Sequence, residues 1–217
     1  MDKNSKKIKK MFNDIAEKYD RNNNIISFGL HKFIKKRAIK DFEFSGKILD
    51  LCTGTGDIAD ILSQTTEVIG LDFSSKMLEI ARKKHPNIPF IEGDCTNLPF
   101  EDNSFDAITI SFGLRNIENY DKALDEISRV LKPSGKFFHL DFGKKFLFAD
   151  LIYDFIIPKL VKIFYSNDLP YQYLVQSKKL FFNKKELQKL FEKHNFKLLK
   201  HQDYLFGIIS CQLCEKI

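Results

Sequence analysis

Four carboxylates and two glycines stand where a small ligand could be held: Asp50, Gly54, Gly56 and Asp57 in the run K-I-L-D-L-C-T-G-T-G-D (47–57), then Asp72 and Asp94. Without side chains, Gly54 and Gly56 let the backbone take positive φ and let a ligand reach contact distance. A dinucleotide turn needs G-x-G-x-x-G, whereas here G-x-G runs into Asp57, and carboxylates on either side of the turn would repel a diphosphate. S-adenosylmethionine carries a zwitterionic amino acid, a sulfonium cation and an adenosine, so an acidic glycine turn suits it. A tight strand-to-helix turn with no ligand fits the same residues. Asp72 follows E-V-I-G-L (67–71), the position from which a carboxylate accepts both ribose hydroxyls of a nucleoside. With Ser74 two residues on, it also reads as a plain helix N-cap arrangement, and the glycine turn upstream favours the ribose. Asp94 is placed to accept an adenine amino group, with Cys95 adding a backbone amide.

These side chains require strands that end together. Residues 47–51 and 67–71 read as short buried strands, 89–92 as a third, and F-D-A-I-T-I-S (105–111) as a fourth with strong β character. Helices are expected from Asp57 to Leu62, from Ser74 to Lys84 with Ser74 or Ser75 as cap, and from Asp121 to Leu131, stopped by K-P-S-G (132–135). Residues 136–142 form strand five. Asn183 caps a helix to His194, and strands 197–204 and 208–213 meet near Gly207. The expected fold is α/β: a Rossmann-like, doubly wound, seven-stranded and mostly parallel sheet whose last strand is antiparallel. Before it, Ile8, Met11, Phe12, Ile15 and Tyr19 recur at helical spacing over 3–19, Asn22-Asn23-Asn24 are expected to break that helix, and 30–39 forms a second. One domain is expected, with 1–45 as a helical flank or lid, 46–142 as the ligand-binding core and 143–217 as substrate-side helices and closing strands.

At 217 residues, 43% hydrophobic and 29% charged, the chain suits one sizeable soluble domain and not a disordered one. The net charge of +6 favours an acidic partner, nucleic acid or anionic lipid. Residues 1–10 are basic with no apolar core, so the expected address is the cytoplasm, with Cys52, Cys95, Cys211 and Cys214 reduced. Cys211 and Cys214 lie on a strand, where residues three apart face opposite sides, which argues against a metal site. The apolar stretch 146–164 is interrupted by Asp150, Asp154, Pro158, Lys159 and Lys162, each charge costing about 2.5–3.5 kcal/mol at mid-bilayer, so it does not span a membrane. It reads as the lining of a greasy pocket, a surface-bound helix or a core helix.

Taken together, D-L-C-T-G-T-G-D, the Asp72 strand end, G-D-C-T-N-L-P-F-E-D-N-S-F-D (93–106), S-F-G-L-R-N (111–116) and R-V-L-K-P-S-G (129–135) resemble class I S-adenosylmethionine-dependent methyltransferases. More narrowly, with M-F-N-D-I-A-E-K-Y-D (11–20) and Y-Q-Y-L-V-Q-S (171–177), they resemble the menaquinone/ubiquinone C-methyltransferases, over nearly the whole chain. The resemblance implies methyl-donor contacts from Cys52, Gly54, Thr55 and Gly56 in the turn, from Asp72 and Phe73, from Asp94 and Cys95, and from Ser111. Cys52 departs from a common glycine, which narrows the turn but leaves its amides available; Ser134 is a second, harmless departure.

The implied reaction is methylation of a ring carbon of a reduced prenylated quinone, most simply demethylmenaquinol to menaquinol, without a metal. Arg115 is the first candidate to stabilise the quinolate or orient a proton-accepting water, with an ion pair to Glu118 or Asp121 as its alternative; Asn116 and Tyr19 are candidates to position the ring. His139, on a predicted strand, is a candidate base, though a histidine there is more often a hydrogen-bonded core residue. The implied partner is a membrane-derived prenylated quinol, met in the cytoplasm or peripherally at the inner face of the membrane; a homodimer is compatible with the resemblance. Alternatives are benzoquinol C-methylation, a nucleic-acid or other small-molecule methyltransferase, and a non-catalytic donor-binding protein. Nucleic acid is not expected as a partner: the loop after strand four is Ser111-Phe112-Gly113-Leu114, not the N/D-P-P-Y/F of exocyclic-amine methyltransferases.

Overall fold

Strand β1 (Lys47–Leu51) is buried along nearly its whole length because it lies in the middle of a parallel sheet, paired with β2 (Glu67–Asp72) on one side and β4 (Phe105–Ser111) on the other. A computed structural model describes residues 4–143 and 169–217. Within them the sheet has seven strands in the order β3-β2-β1-β4-β5-β7-β6, with β3 spanning Phe90–Glu92, β5 Leu131–Phe142, β6 Phe196–Tyr204 and β7 Ile209–Lys216. Only β7 runs against its neighbours, pairing antiparallel with both β5 and β6. Strand order reverses between β1 and β4, and a crevice opens beyond the carboxyl ends of strands at such a point.

Alternation along the strands feeds two cores. Leu49, Ile108 and Phe137 face one side, under α5 (Tyr120–Val130) and α7 (Lys184–Lys193). Ile48, Ala107 and Phe138 face the other, under α2 (Leu30–Lys40), α3 (Asp57–Ser63) and α4 (Ser75–Lys84). Cys211 falls in one core and Cys214 in the other, as their spacing on β7 requires. His139 is buried with Nδ1 2.7 Å from Gln212 Oε1, and burial lowers its basicity, which makes it a core histidine. Ser74 caps α4 through the Met77 amide, and Asn183 and Glu186 form a capping box on α7.

Two boundaries differ from expectation. Helix α1 (Ser5–Ser27) continues through Asn22, Asn23 and Asn24 and ends at Phe28, in the left-handed region at φ 50°. Asparagine is only a weak helix former, not a breaker, and packing of α1 on the rest of the fold outweighs a few tenths of a kcal/mol per residue. The K-P-S-G run stops α5 but does not delay β5. The strand starts at Leu131, paired with Phe105, and a register shift before Lys136 absorbs the turn residues, with Ser134 at φ 59°. Helix α6 (Leu169–Leu180) precedes α7. The apolar stretch 146–164 lies outside the described residues. Among the described residues no helix is long and apolar enough to cross a membrane.

Candidate active site

The turn after β1 is built by backbone conformation. Cys52, Gly54 and Gly56 all have positive φ (54°, 58° and 87°), and Gly56 caps α3. Two glycines take this freely; a cysteine does so under strain. The thiol of Cys52 then fills the space beside Gly113, where a Cβ would sit 2.5 Å from the Cys52 Cβ. Gly113 has an ordinary φ of −101°, so it is needed for room and not for conformation.

Asp72 ties the turn to the second strand. Its Oδ2 accepts the Gly54 amide at 2.9 Å and its Oδ1 the Ser74 amide at 2.8 Å. Burial pushes its carboxyl up to about 6, against the amides that lower it. Asp50, beneath the turn, accepts the hydroxyls of Thr53 and Thr109, each at 2.6 Å, and burial raises it to about 6 as well. Asp94 begins an Asx turn, its Oδ1 accepting the amide and hydroxyl of Thr96. Cys95 hydrogen-bonds the Cys52 thiol, which together with burial keeps Cys52 protonated.

A cavity of about 380 Å³ opens among these strand ends, within the range of small-molecule sites. It is lined by Asp72, Phe73, Asp94 and Cys95 from the ends of β2 and β3, by Cys52 and Gly54 from the turn after β1, by Ser111 and Asn116 from the end of β4 and the loop after it, and by Tyr19 of α1. A smaller space of about 30 Å³ under the turn is bordered by Thr55, Asp50, Lys35 and Asp57. Gly56 and Arg115 border neither. Helix α1 forms the roof: Phe12 meets Phe73, Asn13 Oδ1 meets Ser74 Oγ at 2.7 Å, Thr55 donates to Asp20 at 2.7 Å, and Ser5 donates its amide to Glu118. Lys84 bridges Asp20 and Asp57, and Lys35 also binds Asp57. Burial raises the Asp57 carboxyl, but Lys35 and Lys84 outweigh it and hold the group well below the ordinary range.

Arg115 pairs with neither Glu118 nor Asp121. Its guanidinium is buried against Asp141 at 2.5 Å and lies over the rings of both Phe112 and Phe142, which also meet each other. Arg115 Nε and Asp141 Oδ2 are buried with no hydrogen-bond partner among the described residues. Next to it, Asn116 donates to the Phe112 carbonyl and accepts from the Tyr173 hydroxyl at 3.1 Å. Asp141, Tyr173, Asp20 and Lys35 were not singled out by sequence. The S-F-G-L-R-N loop marks Arg115, but only the pairing of Ser111 with Leu140 brings Asp141 beside it.

The residues fit a sulfonium nucleoside. Among the described residues the Ser111 hydroxyl is buried without a partner at the border of both spaces, and three acidic side chains surround a turn with open backbone at Gly54. Among the described residues no cluster of His, Cys, Asp and Glu could hold a metal ion.

Comparison with known proteins gives the same chemistry. A model of the ubiE/COQ5 methyltransferase family matches residues 1–216. Demethylmenaquinone methyltransferases of Staphylococcus aureus strains JH9 and Newman are each 40% identical over 228 residues, spanning 98% of this chain and 94% of theirs. Among solved structures, an S-adenosylmethionine-dependent methyltransferase of Thermotoga maritima described as a possible histamine N-methyltransferase superposes with a TM-score of 0.73 at 22% identity, covering 97% of this chain and all of the other. One from Aquifex aeolicus gives 0.69 at 17%, covering 94% and 98%. At these identities the two structures speak for the fold.

Proposed function

The chain belongs to the ubiE/COQ5 methyltransferase family, and on that premise we propose that it methylates a ring carbon of a reduced prenylated quinone, converting demethylmenaquinol to menaquinol. The enzyme is S-adenosylmethionine-dependent. The observation that carries the reading is the cavity at the switch point of the sheet, whose acidic end and reaction loop face each other under α1.

Asp72 would hold the ribose hydroxyls, Asp94 and the Cys95 amide the adenine, and the turn from Cys52 to Gly56 with Ser111 the amino-acid end. When bound, the cofactor supplies an electrophilic methyl group. A quinol ring carbon becomes nucleophilic once the adjacent hydroxyl is ionised. Asn116 and Tyr19 border the cavity and are suited to orient the ring. Arg115 acts from behind the loop. Its charge favours the quinolate, and Asp141 fixes its orientation while neutralising part of that charge. The protein works in the cytoplasm and takes its substrate at the inner face of the membrane.

The test is incubation of the full chain with methyl-labelled donor and either demethylmenaquinol or the corresponding benzoquinol. Label in the menaquinol ring supports the reading. Label only in the benzoquinol, only in added RNA, or in nothing while the donor binds would overturn it.

A further inference from the structure

We propose that the corner between α1 and α2 is a docking surface for an anionic lipid bilayer. The proposal rests on the quinol reading for its purpose, because a prenylated substrate must be drawn from lipid. Its grounds are geometric. Helix α2 buries Ile34, Ala38 and Ile39 and turns the opposite face to solvent. Along that face Leu30, Phe33, Lys36, Arg37 and Lys40 follow one another at helical spacing, with Lys32 beside them. The helix has five basic residues and no acidic one. Lys35 and Arg37 are used inside the protein, by Asp57 and Asp41. Lys32, Lys36 and Lys40 make no ion pair among the described residues.

The apolar members are placed against the rules of a folding-only surface. Phe28 is 77%, Phe33 67% and Leu30 45% exposed. Phe28 stands at φ 50°, a helix-end position that glycine or asparagine takes without strain, and it points a large ring at water. An apolar tip with lysines along the adjoining face matches a negatively charged layer over a hydrocarbon interior. A nucleic acid offers the same phosphates to the lysines, but nothing for Leu30. On its other side α2 presents Lys35 to the small space under the glycine turn, and α1 roofs the larger cavity. Docking at this corner therefore places α2 between the bilayer and the small space under the glycine turn.

The test is co-sedimentation of the full chain with vesicles of phosphatidylcholine alone and of phosphatidylcholine mixed with phosphatidylglycerol. We expect binding to the anionic vesicles that weakens with salt. Lys36→Ala and Lys40→Ala should each lower the partition coefficient about fivefold. Phe28→Asn with Phe33→Ser should lower it further on both vesicle types, and asparagine suits the left-handed position, so the fold should stay intact. Donor affinity and turnover of a short-tailed quinol in detergent should not change in any of these variants. The proposal is overturned if the wild-type chain ignores anionic vesicles, if the variants bind them equally well, or if the lysines serve only RNA. A wild-type chain that turns over the quinol in detergent yet ignores anionic vesicles refutes this surface alone. Absent turnover with lysine-dependent vesicle binding supports the surface and refutes the substrate reading.

Discussion

Gly113→Ala is the most incisive substitution the structure offers. The added methyl would fall 2.5 Å from Cys52 Cβ, 2.8 Å from Cys52 Sγ and 3.2 Å from Ile110 Cγ1. The first of these is fixed to the backbone of the donor turn and cannot swing aside. Because φ at residue 113 is −101°, alanine meets no conformational penalty, and the whole effect is overpacking. Such overpacking costs about 1–3 kcal/mol. The cheapest relief moves the Cys52 turn away from the S-F-G-L-R-N loop, so the same energy should appear in donor affinity, as a loss of about 5- to 150-fold. Cys52→Gly removes the obstacle. Alone it should change stability little, since relief of the left-handed cysteine, about 1–2 kcal/mol, is offset by the greater freedom of glycine in the unfolded chain, about 0.5–1 kcal/mol, and by lost packing of the thiol. Combined with Gly113→Ala it should restore most of the loss. Denaturant unfolding and calorimetric titration of the donor on all four proteins yield the coupling. Additivity of the two substitutions within about 0.5 kcal/mol would refute the reasoning.

Three further outcomes are expected. Burial raises Asp72 to about 6; with Asp72 holding the ribose as proposed, its carboxylate form would accept the hydroxyls, so donor affinity should be full above that pH and fall as pH drops through it, by up to about tenfold per unit. Folding stability from the same group has the opposite sign: it is fully present below the ordinary 3.8 and lost as pH rises through about 6. Asp72→Asn should weaken the donor about 10- to 150-fold and flatten that profile in titrations run at several pH values, leaving only the dependence from Asp50. Arg115→Met strands a buried Asp141 and should cost about 3–5 kcal/mol in denaturant unfolding; adding Asp141→Leu should recover stability but not turnover, whereas recovery of turnover would reduce Arg115 to a structural role. Asp20→Ala deletes the Thr55 and Lys84 contacts and should loosen α1 by about 1.5–3 kcal/mol, seen as faster amide exchange in α1 and faster donor release; unchanged rates would mean that the roof does not depend on this latch.

What sequence exposed was local. The glycine turn, the Ser74 cap, the Asn183 cap and the Asp72 strand end are each carried by residues a few positions apart, and each stands where expected. The same local reading ended α1 at Asn22, because propensity knows nothing of the packing and hydrogen bonds that seat α1 on Phe73, Ser74 and Thr55. It offered Glu118 and Asp121 to Arg115 because they are near in sequence. The true partner, Asp141, is near only through the β4–β5 register. The Cys52 departure could be noticed but not weighed, since its consequence lies in the space beside Gly113. The network joining Asp20, Lys35, Asp57 and Lys84 draws on four helices and left no pattern to read.

The antiparallel strand β7 has a wider meaning. It is the sole link between β6 and the rest of the sheet, so β6 and β7 form a hairpin that can fasten to β5 as a ready-made clasp. The chain between β5 and β6 is thereby anchored at both ends by strand ladders, and lengthening a loop in such a tether costs little, about 0.6 kcal/mol per doubling. That tether carries Tyr173 to the reaction loop. A change confined to α6 can therefore alter what meets that loop while β1 to β4 keep their pairing.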